Sequence, residues 1–151
     1  MDFILKTFEE LNTTELYAIL KLRSAVFVVE QNCAYQDIDE LDQRSLHVLL
    51  LEDKKTIAYS RLLPPGLVYK EAAIGRVVVD PDFRKKDLGK KLMQYSIRKI
   101  LELFDSHSIV ISAQKYLLKF YTELGFVTQG EEYLEDDIPH IKMKYNSEVL
   151  R

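Results

Sequence analysis

The residues with the clearest potential for chemistry form a basic turn between Arg84 and Lys91. One arginine and four lysines lie within this short stretch, although the whole chain has a formal net charge of -3. The turn precedes an amphipathic segment, and the first N–H groups of a helix have no internal partner and lie at the positive end of its dipole. Such a helix start can bind phosphate, and Gly89 would let the anion approach the backbone closely. A solvated basic face is the alternative that the spacing alone leaves open.

Two common nucleotide-binding motifs do not match this turn. A Walker loop requires Gly-x-x-x-x-Gly-Lys-Ser/Thr, whereas Arg84 stands where the first glycine belongs and Lys91 where the magnesium-binding hydroxyl belongs. The glycines also form no Gly-x-Gly-x-x-Gly pattern after the first strand. The sequence therefore predicts neither nucleotide hydrolysis nor dinucleotide binding.

Composition places the chain among small globular proteins. Its 151 residues are 47% hydrophobic and 30% charged, with no linker or low-complexity run, so we expect one domain over residues 1–151. The net charge and a pI near 5.7 argue against a nucleic-acid partner. With no signal-peptide pattern or membrane-length apolar run, we predict a cytoplasmic protein without a membrane partner. A single cysteine and three scattered histidines predict no metal site.

Periodicity predicts an α/β protein with a mixed sheet and helices on both faces. The segment 72–79 is nearly all apolar, as a central strand should be, and it is followed by a helix and a second buried strand. This strand–helix–strand unit requires a parallel right-handed crossover, whereas the hairpins make the rest of the sheet antiparallel. The predicted strands are 3–8, 46–51, 56–63, 72–79, 108–113, 126–134 and 138–145; the helices begin at Asn12, Leu88 and Lys115, and Gly125 caps the last.

Two motifs in this arrangement resemble the GNAT superfamily of N-acetyltransferases. The basic turn, Val79-Asp-Pro-Asp-Phe-Arg84-Lys-Lys-Asp87-Leu-Gly89, is similar to the coenzyme-binding pattern Arg/Gln-x-x-Gly-x-Gly/Ala, with Asp87 replacing its first glycine. The segment from Phe120 to Phe126 is similar to the late helix and strand of the family. The element order also matches, and the stretches 26–39 and 138–143 look like the ElaA-type branch.

The resemblance implies a single-domain GNAT-like fold in which the central parallel strands splay apart to admit acetyl-CoA, with no metal. The pantetheine arm would bond to the backbone of strand 72–79, and the diphosphate would bind the amides of residues 84–89. We expect Asp87 to cap the helix and to tolerate a left-handed backbone. The coenzyme-binding residues so predicted are Val77, Val78, Val79, Arg84, Lys85, Lys86, Asp87, Leu88, Gly89, Lys90 and Tyr121.

The implied reaction is acetyl transfer to a primary amine of a small molecule or peptide, by direct transfer in a ternary complex. Tyr121 is the predicted general acid for the departing thiolate, because a phenol stays protonated at neutral pH; its alternative is a tyrosine that only packs helix against sheet. The base is left open among Glu30, Asp37, His47 and His140, and either histidine could be purely structural.

A non-catalytic module that binds or senses acyl-CoA is the competing function, because strand 72–79 carries no Glu and Asp87 replaces a glycine of the coenzyme motif. A third possible function is a protein-interaction domain that has lost coenzyme binding. The acidic loop 37–42 could attract a cationic amine, but we expect it to be a solvated loop instead. The sequence leaves the oligomeric state open, and the edge of the terminal hairpin could pair in a homodimer.

Overall fold

The computed structural model describes residues 1–147 and contains a seven-stranded sheet with helices on both faces. Its strands are β1 (Asp2–Thr7), β2 (Leu46–Glu52), β3 (Lys55–Leu63), β4 (Ala72–Val79), β5 (Ser108–Gln114), β6 (Val127–Glu135) and β7 (Ile138–Asn146). Its α-helices are α1 (Thr13–Arg23), α2 (Leu88–Leu103) and α3 (Leu118–Glu123).

The strand order is β1-β2-β3-β4-β5-β7-β6, and the only parallel neighbours in the described sheet are β4 and β5. Their pairing is limited to two steps, Ala72 with Ile109 and Ala73 with Val110, after which the strands part. The prediction of a mixed, mostly antiparallel sheet with splayed central strands is therefore confirmed.

Two apolar layers hold the helices against the sheet. On one face α2 buries residues spaced at helical intervals, including Leu92, Met93 and Ile100, against the central strands. On the other face Ile19 and Leu22 of α1 pack with Tyr59 of β3 and its neighbours. Full burial of each leucine or isoleucine contributes about 1.5–3 kcal/mol, so these layers fix the helices.

The first helix begins as predicted and ends differently. Asn12 and Glu15 form a reciprocal capping box, with Glu15 N donating to Asn12 Oδ1 over 2.7 Å and Asn12 N donating to Glu15 Oε1 over 2.9 Å. The α-helix ends at Arg23 and continues as a π-helical segment, Ser24–Glu30. Such wide turns are frequent at functional sites, and this one brings Glu30 to the basic turn.

The later helix is shorter than predicted, because residues Lys115–Leu117 form a 3-10 turn and α3 begins at Leu118. Gly125 has a φ of 105°, which confirms the left-handed helix end. Among residues 1–147 no helix combines the length and apolar character needed to cross a bilayer.

Candidate functional site

The separation of β4 from β5 opens a cleft of about 870 Å³. It extends from the basic turn, past the carboxyl-terminal half of β4, to the loop 31–41 and the β6–β7 turn. The residues predicted for the site that line it are Glu30, Val77, Val78, Val79, Arg84, Asp87, Gly89, Lys90, Tyr121 and His140. One continuous space therefore joins the predicted coenzyme and catalytic residues.

A β-bulge shapes the wall of this cleft. Tyr59 pairs with Val78 and Arg61 pairs with Gly75, so two residues of β4 oppose one residue of β3. Arg76, within the bulge, has a φ of 50°. The bulge lies where β4 has left β5, and the residues that follow Arg76, Val77 to Val79, line the cleft.

The basic turn forms in two steps. Asp80 caps a 3-10 turn, Pro81–Lys86, by accepting a hydrogen bond from Asp82 N over 2.9 Å. Asp87 then adopts a left-handed conformation with a φ of 55°, and α2 begins at the next residue. The predicted left-handed backbone of Asp87 is confirmed, whereas its predicted capping is wrong, because the side chain makes no cap hydrogen bond. The first N–H groups of α2 thus keep their capacity to bind an anion.

Gly89 lies in the first turn of α2, beside α3. A Cβ added to Gly89 would stand 3.6 Å from Phe120 Cζ and 4.0 Å from Val79 Cγ2, which is ordinary contact distance. Alanine would therefore fit, and a larger side chain would meet the Phe120 ring. Leu88, also predicted for the coenzyme site, is buried in the core, and only its backbone could take part.

Arg84 is paired with Glu30 across the mouth of the cleft. Its Nη1 and Nη2 lie 2.9 and 2.6 Å from the two carboxylate oxygens, and its Nε donates to Val79 O over 3.2 Å. The hydrogen bonds from Arg84 lower the pKa of Glu30. A carboxylate held in this way is a poor proton acceptor, so the geometry disfavours Glu30 as the base for as long as its ion pair with Arg84 persists.

Tyr121 is buried in α3 and lines the cleft. Its ring packs edge-on against Phe120 and Phe126, with centroids 5.1 and 6.0 Å away. Burial, with a smaller contribution from Tyr116, raises the pKa of Tyr121 to about 12. Within residues 1–147 its hydroxyl has no hydrogen-bond partner, so it is available to a ligand.

His140 lies on β7, buried at the end of the cleft away from the basic turn. Its Nδ1 is 2.7 Å from Ile138 O. Because a carbonyl oxygen only accepts, Nδ1 carries the proton and the neutral ring has its lone pair on Nε2. That Nε2 is 3.4 Å from Glu135 Oε2, and the Tyr133 ring stacks on the imidazole at 6.1 Å.

His47 lies outside the cleft, in the core of β2. Nδ1 is 2.6 Å from Tyr59 Oη and Nε2 is 2.9 Å from Asp42 O, and burial lowers the pKa of the ring. Both nitrogens are engaged in the fold, so this placement leaves His47 out of the site.

The acidic loop is solvated only in part: Glu40 is exposed, whereas the expectation of a solvated loop is wrong for Asp37 and Asp42. Asp37 and Asp42 are buried. Arg23 donates to Asp37 Oδ2 over 2.9 Å and to Asp42 Oδ1 over 2.7 Å. Asp37, one of the candidate bases, is therefore engaged in holding the fold. Arg61 binds Asp42 and Asp39 at 2.8–2.9 Å.

This buried network of arginines and aspartates is the feature that sequence reasoning missed. Its members are far apart in the chain, so no local spacing reveals it. One sequence feature could have indicated this network: Arg61 and Arg76 lie within apolar strands, and a charge that is buried there needs a partner of opposite charge. Among the described residues no cluster of histidine, cysteine or carboxylate side chains could hold a metal ion.

Comparison with known proteins places this site in a family. Residues 10–147 match the model of the acetyltransferase (GNAT) domain. A UPF0039 protein of Schizosaccharomyces pombe is 42% identical over 95% of this chain and 96% of its own length. The crystal structure of an acyl-CoA N-acyltransferase from Pseudomonas aeruginosa superposes with a TM-score of 0.89 at 40% identity, covering 96% of this chain and 99% of that one.

The chain therefore belongs to the GNAT family and is an acyltransferase. Within that family it falls in the ElaA-type branch: the crystal structure of Escherichia coli ElaA gives a TM-score of 0.88 at 38% identity, covering 97% of this chain and all of that one. Acyl-CoA-dependent acyl transfer is the general chemistry that the fold and the relatives support.

Proposed function

We propose that the protein is an acetyl-CoA-dependent N-acetyltransferase that transfers acetyl directly to a primary amine. The observation that carries this proposal is the parting of β4 from β5 after two paired residues, with one cleft leading from the gap to the basic turn. A strand edge without a partner offers N–H and C=O groups to the amides of a pantetheine arm. The amides of residues 84–89 and the side chain of Lys90 would hold the diphosphate.

Arg84 has to share its guanidinium between Glu30 and the incoming diphosphate. A diphosphate carries more charge than one carboxylate and accepts the same paired N–H groups. We therefore expect coenzyme binding to weaken or replace the Arg84–Glu30 ion pair, which is partly exposed and contributes about 0–1 kcal/mol.

His140 is the base that the geometry favours. A primary amine of pKa ~10.4 is mostly protonated at pH 7, and deprotonating it requires roughly 4–5 kcal/mol. The lone pair of His140 Nε2 can accept this proton directly or through water, and Glu135 at 3.4 Å stabilises the imidazolium that results. The amine nitrogen then bonds to the acetyl carbon as the carbon–sulfur bond breaks.

Tyr121 supplies the hydrogen bond that the departing thiolate needs. Complete proton transfer from a phenol of pKa about 12 to a thiolate of pKa ~8.5 is uphill by roughly 5 kcal/mol. Burial of the thiolate in the same cleft raises its pKa and so reduces the difference between the pKa values of the phenol and the thiol. The phenol donates its proton as negative charge develops on sulfur, so that CoA leaves as the thiol. The attacking nitrogen loses its second proton as the amide forms, and that proton reprotonates Tyr121.

The acceptor end of the cleft favours a cationic amine. The arginines there, Arg61 and Arg76, are already neutralised by aspartates. Glu135 and Asp136 also line this end. A carboxylate beside the reacting nitrogen would stabilise its unreactive ammonium form. Glu135 is engaged with His140, so Asp136 is the group that suits a second positive charge on the same acceptor.

The proposal is tested by thermal shift with acetyl-CoA, CoA and a 3′-dephospho analogue, followed by thiol release across mono- and diamines, aminoglycosides, amino acids and peptides. We expect stabilisation by acetyl-CoA and CoA, and thiol release that is faster with diamines than with monoamines of equal length. Stabilisation without turnover of any amine would favour the acyl-CoA-sensing module, and no stabilisation by either form would refute coenzyme binding.

A further inference from the structure

The bulge in β4 carries a charged side chain in a conformation that L-residues rarely adopt. Arg76 has a φ of 50°, and this left-handed conformation brings the Cβ of an L-residue too close to the following carbonyl oxygen. Glycine would satisfy the backbone without that close contact. The arginine side chain must therefore make contacts that offset the strain.

Those contacts all lead to the loop 31–41. Arg76 Nε is 2.8 Å from Asp37 Oδ1, and Nη2 lies 3.0 Å from Asp37 O and 3.2 Å from Asp39 Oδ2. The guanidinium also stands over the Tyr35 ring at 5.6 Å from its centroid, and the Tyr35 hydroxyl donates to Asp37 Oδ1 over 2.7 Å. One side chain thus joins the bulge to three residues of the loop.

The loop has no backbone ladder to hold its shape. Residues 31–41 form neither helix nor strand, yet Asp37 is buried. Backbone hydrogen bonds to the π-helical segment and a hydrogen bond from Gln114 to Gln31 hold the start of the loop. Further along, Arg23 of α1 and Arg61 of β3 bind Asp37 and Asp39. Side chains rather than a backbone ladder therefore position this wall of the cleft.

The contacts of Arg76 with Tyr35, Asp37 and Asp39 form a clamp, and its two ends lie beside the two proposed substrates. On one side Arg76 is followed directly by Val77 and Val78, whose backbone we assign to the acyl-CoA. On the other side Tyr35 and Asp39 line the acceptor end of the cleft. A change in the clamp would move the thioester and the acceptor relative to each other without touching the basic turn.

We infer that Arg76 is a positioning residue, which fixes the bulge against the loop 31–41 so that the acyl group and the acceptor meet in reactive geometry. The inference rests on the proposed function. Its signature is a loss of turnover without a matching loss of coenzyme affinity, because the diphosphate binds at residues 84–89, beyond the bulge.

The test compares Arg76→Gly, which relieves the backbone strain and deletes the clamp, with the control Arg98→Gly on the exposed face of α2. Amide spectra of ¹⁵N-labelled protein are recorded with and without acetyl-CoA. In the native protein we expect resonances of both Val78 and Gly89 to shift. In Arg76→Gly we expect the Gly89 shift to persist, the Val78 shift to fall by half or more, the Kd for CoA to stay within threefold, and kcat to fall at least tenfold.

Native turnover and a native Val78 shift in Arg76→Gly would overturn the inference, as would an equal loss of turnover in Arg98→Gly. If Arg76→Gly does not fold, Arg76→Lys replaces it, since lysine keeps the charge but cannot bind Asp37 and Asp39 with a planar fork. Failure of both variants to fold would assign Arg76 to folding alone and refute a positioning role. If the Gly89 amide resonance of the native protein does not shift when acetyl-CoA is added, the proposed function is refuted instead.

Discussion

Replacing Tyr121 by phenylalanine removes one hydroxyl group and little else. The ring is buried against Phe120 and Phe126, and the hydroxyl has no protein partner among the described residues. No hydrogen bond is therefore broken in the fold, and we expect the free energy of unfolding to change by less than about 1 kcal/mol. The Kd for CoA should also stay within about twofold.

Turnover should respond very differently. A positioned acid contributes about 10²–10⁴-fold to the rate of a proton-transfer step. We therefore expect kcat to fall about 10²–10⁴-fold in Tyr121→Phe, which corresponds to a rise of about 2.7–5.4 kcal/mol in activation free energy. Because the pKa of Tyr121 is raised to about 12, its protonated form persists across an assay from pH 6 to 10, and ionisation of this residue causes no alkaline decline there.

Thiol release at saturating acetyl-CoA measures kcat, and titration calorimetry measures the Kd for CoA. The matched control is Tyr116→Phe, since Tyr116 also lines the cleft but is mostly exposed. Equal turnover in Tyr121→Phe and the native enzyme would remove Tyr121 from the acid role. A parallel loss of kcat and of thermal stability would show that the residue only packs helix against sheet.

Three further predictions address the coenzyme end and the buried network. Glu30→Gln should bind CoA two- to fivefold more tightly by calorimetry, because it frees Arg84 for the diphosphate; weaker binding, or lost turnover, would show that Glu30 assists binding or catalysis. Gly89→Leu should weaken CoA binding at least tenfold by displacing Phe120, with Gly89→Ala as the control, and unchanged affinity would contradict the diphosphate placement. Asp42→Asn should lower the free energy of unfolding in urea by about 3–5 kcal/mol, because it leaves two buried arginines short of a partner; a loss below 1 kcal/mol would refute that account.

The buried network of arginines and aspartates should also make the stability of the protein fall at low pH. Burial alone would raise the pKa of Asp42, but hydrogen bonds from Arg23 and Arg61 outweigh it and hold the pKa below its ordinary value. The unfolded chain therefore binds a proton more readily than the folded one, and the stabilisation present near neutral pH is lost as pH falls below about 4. Urea midpoints measured between pH 3 and 7 should show this decline in the native protein and a smaller one in Asp42→Asn.

Local sequence patterns predicted the scaffold well, because each strand and helix carries its own periodicity. The predicted bounds of β4 and α2 agree with the observed ones within a residue or two. Gly125 likewise predicted where α3 ends. The basic turn was equally visible, since its residues are consecutive. These features depend on neighbours in the chain, and a single sequence records them.

The acceptor side of the site could not be predicted in the same way. The Arg76 contacts join residues almost forty positions apart, and Gly75, which borders the bulge, indicates an irregular strand but not which residues Arg76 contacts. His140 could be distinguished from His47 only once the sheet placed one at the cleft and the other in the core. The terminal hairpin leaves β6 exposed along its length, so pairing in a homodimer stays a prediction.

A crystal structure of the protein with bound CoA tests the central claim most directly. We predict that the pantetheine arm lies between β4 and β5, bonded to the backbone at 77–79, and that diphosphate oxygens lie about 3 Å from amide nitrogens of residues 84–89. CoA bound elsewhere, or strands β4 and β5 paired along their whole length with no cleft between them, would contradict it.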